Sequence, residues 1–353
     1  MENHTKKEYK LMDDMYEVDD LEQEEKWKKI LKKAKTKSIF RNLGISLLVF
    51  LLLFLVGNHV NNWLIDEMRQ EQELATEAFN MISAPNKYLG SSSRFEEFFR
   101  GYTEVSTYKI IGGKVVPTEL LKYSYGLTQD YRGDWTGSFS PAILSRSYTE
   151  DDAENVHYNE LGQREMLFYY PFIKYDSYRN DLELLKDMDQ DMLIEVALSL
   201  DGDYSIADIQ EMFPTQLIAW YWVLDLDEAE EEQARAHLYI QETEEGNIEH
   251  QIPNRVRSEE TAYGVKAYSE NGEPYEEPLN SFRRNLEMGM KQDTRFTSEF
   301  KRVYQNTGLG QASSDDYECF GGLVVSGSVD ELLPLLDHPH VVASTLGVTT
   351  RKY

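Results

Sequence analysis

The sequence predicts an α+β protein with a single-pass membrane helix followed by external domains, of which the C-terminal one is ferredoxin-like. Two observations support this fold class. Residues 43–65 form a run without a charged side chain, and a strand–helix–strand pattern occurs twice between residues 192 and 348. Two such βαβ units are typical of a ferredoxin-like sandwich, whose sheet is antiparallel or mixed.

The run 43–65 is long enough to cross a bilayer, which takes about 20 mostly apolar residues. Fifteen of its residues are Leu, Ile, Val or Phe, and Trp63 near its end suits the interfacial aromatic belt. A cleaved signal peptide is the main alternative, and a buried core helix is another. No small-residue cleavage site follows the run, which favours a membrane-spanning helix.

Charge predicts the orientation of this helix. Residues 26–41 carry eight Lys or Arg residues and no acidic one, whereas Asp66 and Glu67 follow the run directly. Basic residues mark the cytoplasmic flank of a span, so we expect a cytoplasmic N-terminus and an extracytoplasmic C-terminal part at the cell membrane. The side chains expected to contact anionic lipid headgroups are Lys28, Lys29, Lys32, Lys33, Lys35, Lys37 and Arg41.

Five segments follow from these features. They are a cytoplasmic segment with an amphipathic helix (1–41), the transmembrane helix (42–65), an extracytoplasmic helical stalk (66–87), a β-rich first external domain (88–183) and a C-terminal external α+β domain (184–353). The net charge of −27 arises after the span, and such an acidic surface repels nucleic acid. We therefore expect no direct nucleic-acid binding by the external part.

The amphipathic helix is predicted over residues 20–37, where Leu21, Trp27, Ile30, Leu31 and Ala34 recur at helical spacing among lysines. Such a helix can lie on the lipid surface. It can also dock its apolar stripe into a groove of a cytoplasmic protein. The two interpretations stay open, and both can hold at different times.

The external part contains further predicted elements. Strands are expected over Thr103–Val116, Met166–Ile173, Met192–Leu200, Leu217–Leu226, Phe320–Val325 and Val341–Val348. Helices are expected over Asp66–Ser83, Ile206–Phe213, Asn280–Gln305 and Val329–Leu336. The acidic insertion Asp225–Glu249 is predicted to be a solvated surface element.

The sequence contains no recognisable catalytic constellation, so we expect no enzyme, cofactor or metal site. It has no phosphate-binding Gly loop, no HExxH, no GxSxG and no paired cysteines. His338 and His340 lack neighbouring Cys or clustered carboxylates. The segment Asp187–Asp191 begins like a calcium loop, but Leu198 stands where that loop needs Glu. Cys319 is expected in the core.

Aromatic side chains are frequent in the first external domain. A ligand groove is one interpretation, and packing within a sheet is the commoner role of such residues. The candidates are Tyr102, Tyr108, Tyr123, Tyr125, Tyr131 and Trp135.

The stretch LEQEEKWKKILKKAKTKSIFRNLGISLLVFLLLFLV joins a short cytoplasmic helix to the span. With the large external part, it resembles the sigma factor regulator family of Gram-positive bacteria, membrane-anchored anti-sigma factors for extracytoplasmic-function sigma factors. GYTEVSTYKIIGGKVVP and FGGLVVSGSVDELLPLLDHPHVVASTLGVT are similar in character to the external region of that family. Unlike the zinc-binding anti-sigma domain, the cytoplasmic segment has no Cys, so sequestration would use a minimal helix.

The resemblance implies an anti-sigma factor that holds an extracytoplasmic-function sigma factor at the membrane and releases it on an envelope signal. A second small membrane protein is a possible further partner. Trp27 is the expected hot spot, because large aromatic anchors carry much of the binding energy of interfaces. The candidate sigma contacts are Met12, Met15, Tyr16, Val18, Leu21, Trp27, Ile30 and Leu31. The alternative is a cell-envelope binding or scaffold protein without a transcriptional role.

Overall fold

The computed structural model describes the backbone of residues 2–127, 156–159, 161–236, 239–242, 248–251, 255–308 and 318–353. Side chains are described from residue 26 onward, except in strands 239–242 and 248–251. The chain forms two compact units, Met1–Trp63 and Leu64–Tyr353.

The first helix, α1, is continuous from Glu2 to Ile82. Its apolar stretch from Leu47 to Val56 is exposed, as expected of side chains that face lipid. Within the described residues it is the one helix long and apolar enough to cross a membrane. By length and composition this helix is a candidate membrane span, which is consistent with the predicted membrane anchor.

The end of α1 is buried in the second unit. The Phe79 ring stacks on Phe296 with centroids 4.5 Å apart and meets Phe300 edge-on at 5.8 Å. Ala84 then takes a positive φ of 50°, and the chain leaves the helix before Pro85. The helix expected over Asp66–Ser83 is present, but its last turns pack into the core instead of facing solvent.

A three-stranded antiparallel sheet follows, with the order β1 (Lys87–Glu97), β2 (Arg100–Ile111) and β3 (Lys114–Gly126). The single strand predicted over Thr103–Val116 is wrong, because Gly112 and Gly113 form a two-residue turn between β2 and β3. Their φ angles are 53° and 81°. Tight hairpins need positive φ at this place, which glycine adopts without strain.

The remaining elements lie mostly in and around a second sheet. The strands are β4 (Leu167–Tyr169), β5 (Met192–Tyr204), β6 (Ile218–Val223), β7 (Tyr239–Glu242), β8 (Ile248–Gln251), β9 (Val256–Ser258), β10 (Gly264–Lys266), β11 (Phe320–Ser328) and β12 (Val341–Arg351). The helices are α2 (Ile206–Met212), α3 (Glu228–Arg235), α4 (Pro278–Gly289), α5 (Thr297–Asn306) and α6 (Val329–Leu332). Short 3-10 turns lie at Asp181–Asp187, Thr215–Leu217 and Leu333–Leu335.

The second sheet has five strands in the order β10-β6-β11-β5-β12, and all neighbouring strands are antiparallel. Two small antiparallel pairs, β4-β9 and β7-β8, complete the described strands. These observations confirm a mixed α+β protein with antiparallel sheets. Each predicted strand–helix–strand unit of the C-terminal part is present with adjusted bounds.

The five-stranded sheet is covered on both faces, and β6 shows this most clearly. Tyr221 and Val223 belong to a cluster that contains the end of α1 and helices α4 and α5. Trp220 and Trp222 belong to a second cluster with Phe168 and Tyr170. All six residues of β6 are buried, which explains why the run IAWYWV lacks polar alternation.

The single helix predicted over Asn280–Gln305 is wrong, since the structure has α4 and α5 with a break between them. Gly289 marks the close packing at this break, where a Cβ atom would lie 2.3 Å from the Phe300 ring. The strand predicted over Met166–Ile173 shortens to the three residues of β4. Burial of this segment, rather than strand pairing, explains its apolar character.

The acidic insertion Asp225–Glu249 is only partly solvated. Helix α3 is mostly exposed, and Asp227 caps its N-terminus by accepting from the Glu230 N–H. Asp225 is fully buried between arginines, so the surface prediction is wrong for this residue. Residues 237–238 and 243–247 lie outside the described residues.

Candidate functional site

The N-terminal part of α1 presents large apolar side chains to solvent. Trp27, Ile30 and Leu31 are 63 %, 56 % and 65 % exposed. Successive helical residues are about 100° apart, so these three lie within an arc of about 100° on one face. A surface of this kind can dock into a groove of another protein or lie on a lipid surface.

The other predicted sigma contacts lie further toward the N-terminus. The backbone of all five belongs to α1, and their side chains lie outside the described residues. These residues are Met12, Met15, Tyr16, Val18 and Leu21.

The seven basic side chains predicted to contact lipid headgroups are exposed. On the helix, Lys28, Lys33 and Lys35 lie beside the arc of Trp27, whereas Lys29 and Lys32 lie opposite it. The apolar arc is thus bordered by positive charge. This arrangement suits a partner or surface that combines an apolar groove with acidic groups.

The external unit buries a charged cluster where β2 meets β5. Lys109 Nζ lies 2.7 Å from Glu195 Oε2 and 3.3 Å from Glu259 Oε1. Burial disfavours the charge of Lys109, but the two carboxylates outweigh this effect and raise its pKa. Burial raises the pKa of Glu195, although Lys109 and Asn86 oppose the shift. The ion pair between Lys109 and Glu195 connects the three-stranded sheet to the five-stranded sheet.

A second buried cluster is centred on Asp225, at the end of β6. Arg257 Nη2 lies 2.8 Å from Asp225 Oδ1, and Arg302 binds Oδ2 at 2.5 Å. Burial opposes ionisation, but the two guanidinium groups lower the pKa of Asp225 below its usual value. Arg302 also contacts Glu299, which accepts from the Tyr263 hydroxyl at 2.7 Å. This network ties α5 to the sheet.

Lys266 on β10 is a buried lysine whose ammonium faces a backbone oxygen instead of a carboxylate. Its Nζ donates to the Lys87 carbonyl and lies 4.8 Å from the centroid of the Tyr88 ring. Burial and the neighbouring Lys87 charge lower the pKa of Lys266 to about 7. A charge that titrates near neutral pH is therefore built into the core.

These charged residues were missed by the sequence analysis. A signal existed, because Lys109, Glu195 and Lys266 each interrupt an apolar strand segment. Charged residues are almost never fully buried unless they are paired. Their partners come from distant parts of the chain, which a local pattern does not reveal.

A pocket of about 400 Å³ opens beside the β2–β3 turn. Its walls include Tyr88, Ile110, Gly112, Ile218, Tyr268 and Glu331. The mixed apolar and polar lining could hold a small ligand.

Of the aromatic residues expected in a groove, the four that the structure describes do not line this pocket. Tyr123 and Tyr125 are buried in the core, Tyr102 stacks on Phe95, and Tyr108 stacks on Tyr88. Sheet packing accounts for all four. Tyr131 and Trp135 lie outside the described residues.

The remaining candidates have local structural roles. His338 stacks on Phe213, and His340 Nδ1 lies 3.0 Å from the Tyr204 hydroxyl. Cys319 is buried, as predicted, and burial raises the pKa of its thiol. In the part of the chain with placed side chains, no group of three His, Cys, Asp or Glu residues is positioned to hold a metal.

Two protein-family models match the chain. The sigma factor regulator N-terminal model matches residues 28–116, from the basic flank through the span to β3. The sigma factor regulator C-terminal model matches residues 185–348, which includes β5, β6, β10, β11 and most of β12 of the larger sheet. No curated protein and no solved structure shows significant similarity to the chain. The two matches cover well over half of the sequence, and the chain belongs to the sigma factor regulator family.

Proposed function

We propose that the protein is a single-pass anti-sigma factor that sequesters an extracytoplasmic-function sigma factor at the membrane and releases it on an envelope signal. Membership of the sigma factor regulator family supports a regulatory role with a sigma factor as partner. The exposed face of Trp27, Ile30 and Leu31 carries the finer proposal, since it offers an apolar surface on the helix that leads into the candidate span.

The proposed orientation puts this helix in the cytoplasm, where sigma factors act. The eight basic residues of 26–41 support it through the positive-inside rule. Seven of them, Lys28 through Arg41, would bind lipid headgroups. Fixing the helix against the membrane would orient its apolar face for docking.

The proposed sigma interface runs from Met12 to Leu31. Trp27 would fill a pocket of the sigma factor, with Ile30 and Leu31 beside it, since buried aromatic anchors commonly dominate interface energies. Met12, Met15, Tyr16, Val18 and Leu21 would extend the contact toward the N-terminus. A sigma factor bound in this way could not present the covered surface of its own to RNA polymerase.

The external part is proposed to have two domains, 88–183 and 184–353, with the second ferredoxin-like. In the observed sheet, β11 lies between β5 and β6, and β5 lies between β11 and β12. Each strand–helix–strand unit is thus split by a strand of the other, which supports the ferredoxin-like assignment. The layout also resembles the anti-sigma-M protein of bacilli, a Gram-positive regulator that works beside a second small membrane protein.

The test measures transcription from a sigma-dependent promoter in cells that express the full-length chain. We expect Trp27→Ala with Leu31→Ala to derepress the promoter and to abolish recovery of a sigma factor with the affinity-purified chain. Ile39→Ala with Phe40→Ala is the matched control, because these residues are 57 % and 67 % exposed on the opposite face of α1. Immunoblotting of the membrane fraction checks that all variants are present.

Unchanged repression by the Trp27→Ala, Leu31→Ala variant would refute the proposed interface. Deletion of residues 1–25 separates the proposal from the alternative of an envelope-binding scaffold. An anti-sigma factor loses repression on this deletion. A scaffold without a transcriptional role leaves the promoter unchanged.

A further inference from the structure

The hairpin between β1 and β2 carries aromatic residues at a turn that disfavours them. Glu97 pairs with Arg100, so Phe98 and Phe99 form a two-residue loop. Such loops favour Asn-Gly, because they need positive φ. Phe99 has a φ of 60°, which a bulky residue rarely adopts. The Phe99 ring therefore stands at this tip against the preference of the backbone.

The tip is apolar and open to solvent. Phe98 is 59 % exposed and lies 4.3 Å from the Phe99 ring, measured between centroids. Leu127, at the end of β3, is 62 % exposed, and its N–H donates to the Phe99 carbonyl at 2.9 Å. We call Phe98, Phe99 and Leu127 the apolar tip.

Ion pairs fix the direction in which the hairpin runs along α1. Arg94 Nη2 lies 2.8 Å from Glu73 Oε1, and Arg69 Nε lies 3.7 Å from Glu96 Oε1. Positions nearer the tip on β1 therefore pair with positions nearer the N-terminus of α1. Two strand residues advance about 6.6 Å, and four helical residues advance about 6 Å.

Phe98 follows Glu96 by two strand residues, and Ile65 precedes Arg69 by four helical residues. Phe98 is therefore about level with Ile65. Ile65 is the last residue of the predicted span and belongs to the second unit, in the same buried cluster as Val105 and Tyr125. Tyr125 pairs with Gly101, close to the tip. Two independent observations, the ion pairs and the burial of Ile65, thus place the tip near Ile65, the last residue of the predicted span.

We propose that the apolar tip inserts into the interfacial layer of the outer leaflet and gives the external unit a second contact with the membrane. Exposed aromatic and aliphatic side chains bind this layer by burying apolar area. Arg100 borders the tip and pairs with Glu97, so this carboxylate next to the tip is neutralised. A lipid surface is favoured over a protein partner because the tip lies about level with Ile65, at which the predicted span ends.

The experiment uses the full-length chain in vesicles of phosphatidylethanolamine and phosphatidylglycerol. An environment-sensitive dye is attached at Phe98→Cys in a Cys319→Ser background. The matched control is Val115→Cys, which is 58 % exposed and lies near the Gly112-Gly113 turn at the other end of the same sheet. We expect a blue shift at position 98 and loss of its fluorescence when spin-labelled lipids are included. Position 115 should show neither change.

Equal, lipid-insensitive emission at the two positions would overturn the proposal. A blue shift at position 98 that disappears on dilution of the protein in lipid, without quenching by spin-labelled lipids, would also overturn it and indicate contact between copies. Phe98→Asn with Phe99→Gly supplies a second check, because this pair suits the turn and keeps the strands paired. In that variant, a dye at Leu127→Cys should lose lipid quenching, and retention would contradict insertion by the rings.

Discussion

Lys109 on β2 and Glu195 on β5 form a buried ion pair between the two larger sheets, with Nζ 2.7 Å from Oε2. Asn86 donates to the other oxygen of Glu195 at 2.9 Å, and the Val348 N–H lies 3.3 Å from Oε2. Glu259, the residue that follows β9, also contacts this ammonium, with its Oε1 3.3 Å from Nζ. The hydrogen bonds satisfy carboxylate oxygens that burial would otherwise leave without water.

Lys109→Met should lower the free energy of unfolding by about 3–5 kcal/mol, because it leaves two buried carboxylates without their cation. Urea unfolding of the full-length protein, followed by tryptophan fluorescence, measures the change. Lys122→Met is the control, since Lys122 is partly exposed 3.6 Å from Glu104 and should contribute about 1 kcal/mol or less. Equal losses in the two variants would contradict the role assigned to Lys109.

Asp225→Asn should destabilise the protein at neutral pH and reduce the acid sensitivity of its stability. The pKa of Asp225 is lowered in the folded state, so its contribution is complete above the ordinary value of 3.8. That contribution is lost as pH falls through the lower, folded-state pKa. Stability curves from pH 7 down to pH 2 should therefore fall more steeply for the parent protein than for the variant.

The exposed Asp330→Asn substitution is the control for Asp225→Asn. It should leave both the stability at neutral pH and the steepness of the acid transition close to those of the parent protein. If both substitutions have the same effect, the arginine contacts of Asp225 do not contribute to acid sensitivity.

Lys266 should make stability rise with pH between about 7 and 10.5. Its folded pKa is lowered to about 7, so over this range the unfolded state binds the proton and the folded state does not. The slope is at most about 1.4 kcal/mol per pH unit. Below pH 7 both states are protonated, and this group adds no further pH dependence.

Lys266→Met should therefore raise stability at pH 7 and remove this rise. The Lys87 carbonyl keeps a donor in the variant, because Asn80 Nδ2 lies 3.2 Å from it. Chemical unfolding at pH 7, 8 and 9 distinguishes the outcomes. Parallel pH profiles for parent and variant would show that Lys266 does not titrate in this range.

Cys319 should resist alkylation in the folded protein at pH 8. Its side chain is buried, and burial raises the pKa of the thiol, with a smaller contribution from Asp203. Only the thiolate reacts rapidly. Mass spectrometry after iodoacetamide should show no adduct until urea is added, whereas an exposed Val115→Cys thiol should react at once. Rapid reaction at Cys319 would contradict its placement in the core.

The periodic and apolar parts of the fold were predictable from the sequence. The span, the two strand–helix–strand units and the buried position of Cys319 all follow from local patterns. The sequence also indicates the β2–β3 turn, because Gly112-Gly113 between apolar residues favours a two-residue hairpin, which the prediction of a single strand overlooks. The break between α4 and α5 depends on Gly289 against Phe300, a contact that forms only in the folded chain.

The buried ion pairs could not be predicted from the sequence. Lys109 and Glu195 are 86 residues apart, and Asp225 and Arg302 are 77 apart. Their local surroundings give no indication of the partner that makes burial tolerable. The candidate sigma contacts pose the opposite problem, since Trp27 and Leu31 are exposed and their role depends on a surface that another molecule supplies.

The aromatic contacts at the end of α1 also have a mechanical consequence. Phe79, in the last turn of α1 before Ile82, is held among the rings of Tyr263, Phe296 and Phe300. A tensile force along the helix axis would first load the ion pairs that Arg69 and Glu73 form with β1, and would reach these rings and α5 later. Pulling experiments should therefore find the aromatic anchor to be the last contact of the helix to yield.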